Sequence, residues 1–118
     1  MPSPHASSPT DAARLDRLFA ALSDGNRRAM VDQLARGPAS VSDLAKPLDI
    51  ALPSALKHLA VLEAGGLVES DKAGRVRTYR IAPDAFTGLE DWVSQRKAQW
   101  HRQFDALDAL LAEQDNKT

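Results

Sequence analysis

The chain has 118 residues and no cysteine. That absence excludes disulfides, thiolate metal sites and cysteine nucleophiles, and it removes cysteine usage as a sign of redox compartment. No apolar run approaches the roughly 18–20 residues of a membrane helix, and the N-terminus lacks the basic-then-apolar order of a secretory signal, so the chain is expected in the cytoplasm. The histidines, His5, His58 and His101, come without a nucleophile-elbow glycine pattern or any other catalytic motif. No enzyme and no cofactor are therefore expected. No internal repeat is present. Nor is there a charge excess of one sign: the net charge is −1.

What is there is a mixture of 43% apolar and 26% charged residues, the balance of a soluble globular protein with one core. Residues 1–10, MPSPHASSPT, are rich in Pro and Ser and read as a disordered lead-in, and 115–118 as a disordered tail, around a domain of residues 11–114. From Asp11, Leu15, Leu18, Phe19 and Leu22 repeat at helical spacing up to the turn-forming Ser23–Asn26. Asn26 is placed to cap a second helix carrying Met30, Val31 and Leu34, which Gly37-Pro38 ends. Ser40 or Ser42 is placed to cap a third, with Leu44, Ala45 and Leu48 inward. A fourth runs from about Ala51 to Gly65-Gly66. LVESDKAGRVRTYRI then alternates as a two-stranded hairpin with its turn at Lys72-Ala73-Gly74. A long helix follows Pro83 to about Glu113. The expected class is mainly α, a winged helix: four helices, a two-stranded β-hairpin wing and a long C-terminal helix.

The fourth helix divides cleanly. At 100° per residue Ala55, Leu59 and Leu62 cluster on one side, whereas Pro53, Ser54 and Lys57 point away and His58 sits on a flank. An aliphatic side that anchors and an outer side bearing a hydroxyl and an ammonium are what a helix-turn-helix needs to meet base edges and phosphates. The hairpin adds Lys72, Arg75, Arg77 and Arg80 directly after it, a basic wing suited to phosphates. Residues 51–80 hold five bases against three acids, a net +2; residues 84–115 hold three against seven, a net −4. The near-zero total conceals a polarised chain. Arg27 and Arg28 lie at the start of the second helix, where the helix dipole disfavours cations, so they are expected to be solvated rather than to touch DNA.

In the last helix Trp92, Trp100, Phe104, Leu107, Leu110 and Leu111 lie within an arc of roughly 120°, wider than one small domain needs. Pairing this stripe with its copy, helped by Leu15 and Phe19 of the first helix, predicts a homodimer able to read a palindrome. His101 and Asp105 are four residues apart, but Lys97 beside them repels a cation, and no metal site is expected.

The runs LFAALSDGNRRAMVDQLARG, SVSDLAKPLDIALPSALKHLAVLEAGGLV and KAGRVRTYRI resemble the winged-helix repressors of the ArsR type. The likeness is close over residues 14–82. Where metal-sensing members have cysteines in the third helix, this chain reads Ser40-Val41-Ser42-Asp43, so it is similar to a cysteine-free branch. It also carries Ala51, Leu52 and Leu56 where many members are polar. The resemblance implies sequence-specific binding of a double-stranded palindromic operator and repression, with any small-molecule effector unknown. The competing readings are a winged helix that docks another protein, and a ligand- or metal-gated sensor of the same fold.

Overall fold

The computed structural model describes residues 7–116. In chain order it contains α1 (Ser7–Leu22), α2 (Gly25–Leu34), β1 (Ala39–Ser40), α3 (Val41–Ala45), a single 3-10 turn (Lys46–Leu48), α4 (Leu52–Ala64), β2 (Val68–Ala73), β3 (Val76–Ile81) and α5 (Thr87–Asn116). This is a winged helix-turn-helix, five helices with a hairpin wing. Residues 7–10 belong to α1 and 115–116 to α5, while 1–6 and 117–118 lie outside the described residues. Pro9 is compatible with that early start because it falls in the first turn, where a missing N–H has no partner to lose. None of the helices among the described residues is long and apolar enough to cross a membrane.

The chain divides into two compact units, one through Phe86 and one beginning at Thr87. The first holds the core: Met30, Leu44, Leu59, Leu62 and Leu67 are fully buried, and Leu18, Leu34, Ala55, Val68 and Tyr79 are buried with them. Among its described residues, no polar side chain other than the Tyr79 phenol is buried there. The cap of α2 is Asp24 rather than Asn26. Asp24 has extended backbone angles and its carboxylate accepts from the Arg27 N–H at 3.1 Å, whereas Asn26 already lies within the helix. Ser40 is the cap of α3, its hydroxyl accepting from the Asp43 N–H at 3.2 Å.

The sheet has the order β1-β3-β2, all antiparallel. Sequence pattern misses β1 because two residues are too short to alternate; Ala39 and Ser40 are strand only because β3 offers Tyr79 and Thr78 as partners. Register also moves the expected hairpin turn. Lys72 and Ala73 are paired strand residues, Ala73 opposite Val76, leaving Gly74-Arg75 as a two-residue turn. Gly74 has φ +64°, and positive φ at the first turn residue alone is what a type II′ hairpin requires.

The second unit is α5, thirty residues long. Trp100, Phe104, Leu107, Leu110 and Leu111 are exposed along it, and the Arg96 guanidinium lies 4.5 Å from the centre of the Trp92 ring.

Candidate nucleic-acid interface

The short α3, the turn through Asp49 and α4 build the centre of the site. Asp49 takes a left-handed conformation, φ 53°, which an aspartate tolerates better than most residues. The chain thereby reverses into α4 within a few residues. Ala55, Leu59 and Leu62 bury one side of α4 against α1, α2 and α3. Burial of this kind is worth roughly 25 cal/mol per Å² of apolar surface, so it holds the helix by its inner side alone. Pro53, Ser54 and Lys57 are all exposed. No side chain caps the N-terminus of α4 at Ala51, which leaves the first-turn N–H groups open to an outside acceptor.

His58 is half-buried and faces α2. Its Nδ1 lies 3.2 Å from Arg27 Nη1 and 4.0 Å from an Asp24 carboxylate oxygen. Arginine can only donate, so the shorter contact requires an unprotonated Nδ1 and puts the ring proton on Nε2. Arg27 also donates from Nε to the Ala21 carbonyl at 2.8 Å and from Nη2 to the Ala20 carbonyl at 3.0 Å, while Arg28 donates to the Leu22 carbonyl at 2.7 Å. The two arginines are thus not simply solvated, as expected from their place at the start of α2. They reach back and satisfy the last carbonyls of α1, where the helix dipole favours a cation. The signal in the sequence is two arginines just past the end of α1, whose C-terminal dipole favours the cations that the start of α2 disfavours.

The hairpin tip is exposed throughout 71–77. Lys72 and Arg77 are cross-strand partners on the face that carries buried Tyr79 further back, and Arg75 occupies the turn. Arg77 donates to the Ser70 hydroxyl at 2.9 Å, a neutral partner that leaves its charge uncompensated. Arg80 differs from the other three wing cations. It bridges Glu69 at 3.0 Å and also pairs with Asp71, and the Asp71 hydrogen bond raises its already high pKa further. Arg80 is therefore not a free wing cation, contrary to what its spacing suggests. Antiparallel pairing sets Glu69 opposite it, a relationship invisible before the register is known.

Of the residues expected to build a dimer interface, Leu15 and Trp92 are half-buried, and Phe19, Trp100, Phe104, Leu107, Leu110 and Leu111 are exposed.

Known proteins agree with this architecture. Residues 22–71 match the helix-turn-helix domain family. The chain is 36% identical over 103 residues to the HTH-type transcriptional regulator Rv2034 of Mycobacterium tuberculosis, covering 87% of this chain and 94% of that protein. It is 25% identical over 79 residues to the transcriptional repressor SdpR of Bacillus subtilis, covering 67% and 88%. Among solved structures, the crystal structure of an ArsR family transcriptional regulator, RHA00566, has a TM-score of 0.72 at 46% identity, covering 76% of this chain and 93% of that one. The solution structure of the homodimeric winged helix-turn-helix DNA-binding domain of a possible ArsR-family regulator from Mycobacterium bovis has a TM-score of 0.62 at 30% identity, covering 84% and 92%.

Proposed function

Since this chain belongs to the ArsR family of helix-turn-helix transcriptional regulators, we propose that it acts as a homodimer on a palindromic operator and represses its own or neighbouring genes. Pro53, Ser54 and Lys57 face the major groove with His58 at the flank, turned towards α2, and Lys72, Arg75 and Arg77 hold phosphates beside it. The carrying observation is electrostatic. Among the described residues Lys57, Lys72 and Arg75 meet no carboxylate and Arg77 meets only a hydroxyl, although acids are plentiful elsewhere in the chain. Unpaired cations around an exposed helix-turn-helix are suited to phosphate.

Dimerisation supplies the second half-site. The stripe of Trp100, Phe104, Leu107, Leu110 and Leu111 on α5 is apolar and exposed, as is Phe19 on α1, and a second copy is a self-complementary cover for such a stripe. The homodimeric M. bovis domain supports this reading. Two copies of α4 about 34 Å apart read successive major grooves. Repression is supported by the repressor SdpR among the relatives. A bound dimer excludes polymerase from a promoter it overlaps.

Fluorescence anisotropy tests the reading, with a duplex from the region upstream of the coding sequence and a scrambled duplex, each over a salt series. Binding to the former at least about a thousandfold tighter, with Arg75→Ala reducing the salt slope by about one, is the expected result. No duplex binding even at low salt would overturn it in favour of a protein-docking winged helix.

A further inference from the structure

The outer side of α4 is poor in the groups that read bases by hydrogen bonding. Between Leu52 and Ala64 the polar side chains are Ser54, Lys57, His58 and Glu63, with no Arg, Asn, Gln or Asp. Bidentate recognition of guanine by arginine, or of adenine by asparagine or glutamine, is therefore excluded on this helix. Ser54 bonds either a donor or an acceptor and discriminates little, and His58 is committed at Nδ1 to Arg27. Glu63 lies eleven residues beyond Leu52, roughly 16 Å along the axis, near the opposite end of the helix. Lys57 alone is left to select a base by polar contact.

In place of polar readers α4 exposes leucine. Leu52 is 47% and Leu56 46% exposed; four residues apart, they stack one turn above the other on one edge of the helix. The fold does not need them, because Ala55, Leu59 and Leu62 supply the buried side. A single exposed leucine calls for no explanation. Two in register in the N-terminal half of the helix are different, because that half is the one a helix-turn-helix directs at base edges. Pressed against ordinary base edges, they would strip water from carbonyl, amino and ring-nitrogen groups without replacing its hydrogen bonds, at a net cost. The thymine C5-methyl is the one methyl group the four bases present in the major groove.

Resting on the DNA-binding reading above, we propose that Leu52 and Leu56 are thymine readers. Each packs on a C5-methyl group, so each operator half-site presents thymine at two positions beneath the N-terminal half of α4. Sequence selectivity then comes from methyl contacts at these positions and from Lys57 beside them, with the wing contributing affinity more than choice.

The probe is a set of duplexes enriched by the full-length protein from a pool with a randomised core. In each enriched duplex, thymines are replaced one at a time by deoxyuridine, which removes the methyl and leaves O4 and the base pairing unchanged. At two positions in each half-site the replacement is expected to weaken binding about fourfold. Leu52→Ala and Leu56→Ala are each expected to abolish the sensitivity at one of those positions while the melting temperature stays as in the parent protein. If no uracil replacement changes affinity while selectivity over a scrambled duplex persists, the leucines do not read methyls, and the regulator reading still stands. If no sequence is enriched at all, both readings fall, and the leucine edge becomes a protein-docking surface.

Discussion

Arg27 joins the C-terminus of α1 to the outer flank of α4: one guanidinium donates to the Ala20 and Ala21 carbonyls and to His58 Nδ1. A hydrogen bond from a charged donor contributes about 1.5–3 kcal/mol, and water replaces part of that at the exposed carbonyl, so Arg27→Ala is expected to lower the unfolding free energy by at least about 2 kcal/mol in urea titrations. The same variant should release the ring. Nitrogen NMR of the parent protein is expected to show the His58 proton on Nε2, and Arg27→Ala a mixture of both tautomers. An Nδ1–H tautomer in the parent protein would contradict the contact.

Asp24 gives stability a pH dependence of definite sign. The Arg27 N–H bonded to its carboxylate, together with the Asn26 N–H and the Arg27 charge, holds its pKa below the ordinary 3.8. The folded state then binds fewer protons than the unfolded one near that value, so the contribution is complete above it and disappears as pH falls through the lower folded pKa. Urea midpoints between about pH 6 and 2.5 are expected to fall less steeply for Asp24→Asn than for the parent protein, because asparagine caps a helix without titrating.

Gly65 is required by a close approach. A Cβ there would stand 3.1 Å from both the Arg17 carbonyl oxygen and the Ala21 Cβ, where the end of α4 meets α1 and Arg17 donates to the Ala64 carbonyl at 3.3 Å. Gly65→Ala is expected to destabilise by about 1–3 kcal/mol through overpacking. Gly25→Ala, whose nearest neighbour is the far end of the Arg28 side chain at 3.9 Å, is expected to leave the urea midpoint nearly unchanged.

Arg80 is a cation held in reserve by its neighbours. Replacing Glu69 and Asp71 together by Gln and Asn removes two acids from the wing and frees that guanidinium. Affinity for a scrambled duplex is expected to rise severalfold at low salt, with a steeper salt slope. The same double change in an Arg80→Ala background isolates the arginine's share.

In the proposed dimer, the stripe on α5 is the contact surface. Phe104, 62% exposed, and Leu107, 50% exposed, are neighbours on one face of that helix. Phe104→Glu with Leu107→Glu is expected to convert a dimer to a monomer in sedimentation equilibrium. The far-ultraviolet dichroism of the first unit's elements should be retained.

The sequence by itself determined the order of the elements, the inner and outer sides of α4, the apolar stripe of α5 and the helix-turn-helix class. Each of these is written in local periodicity: Ala55, Leu59 and Leu62 recur with the helical repeat, and Gly66 and Gly74 mark chain reversals. Only the tertiary structure decided which charges remain available. Arg80 is neutralised because antiparallel register sets it opposite Glu69, and Arg27 and Arg28 turn back to α1 because the Ser23–Asp24 turn brings its last carbonyls within reach. The two-residue β1 exists only because β3 has already formed beside it. Periodicity is a property of neighbours in the chain, whereas the partner of a long charged side chain, or of an isolated strand, is set by residues distant in sequence and adjacent only after folding.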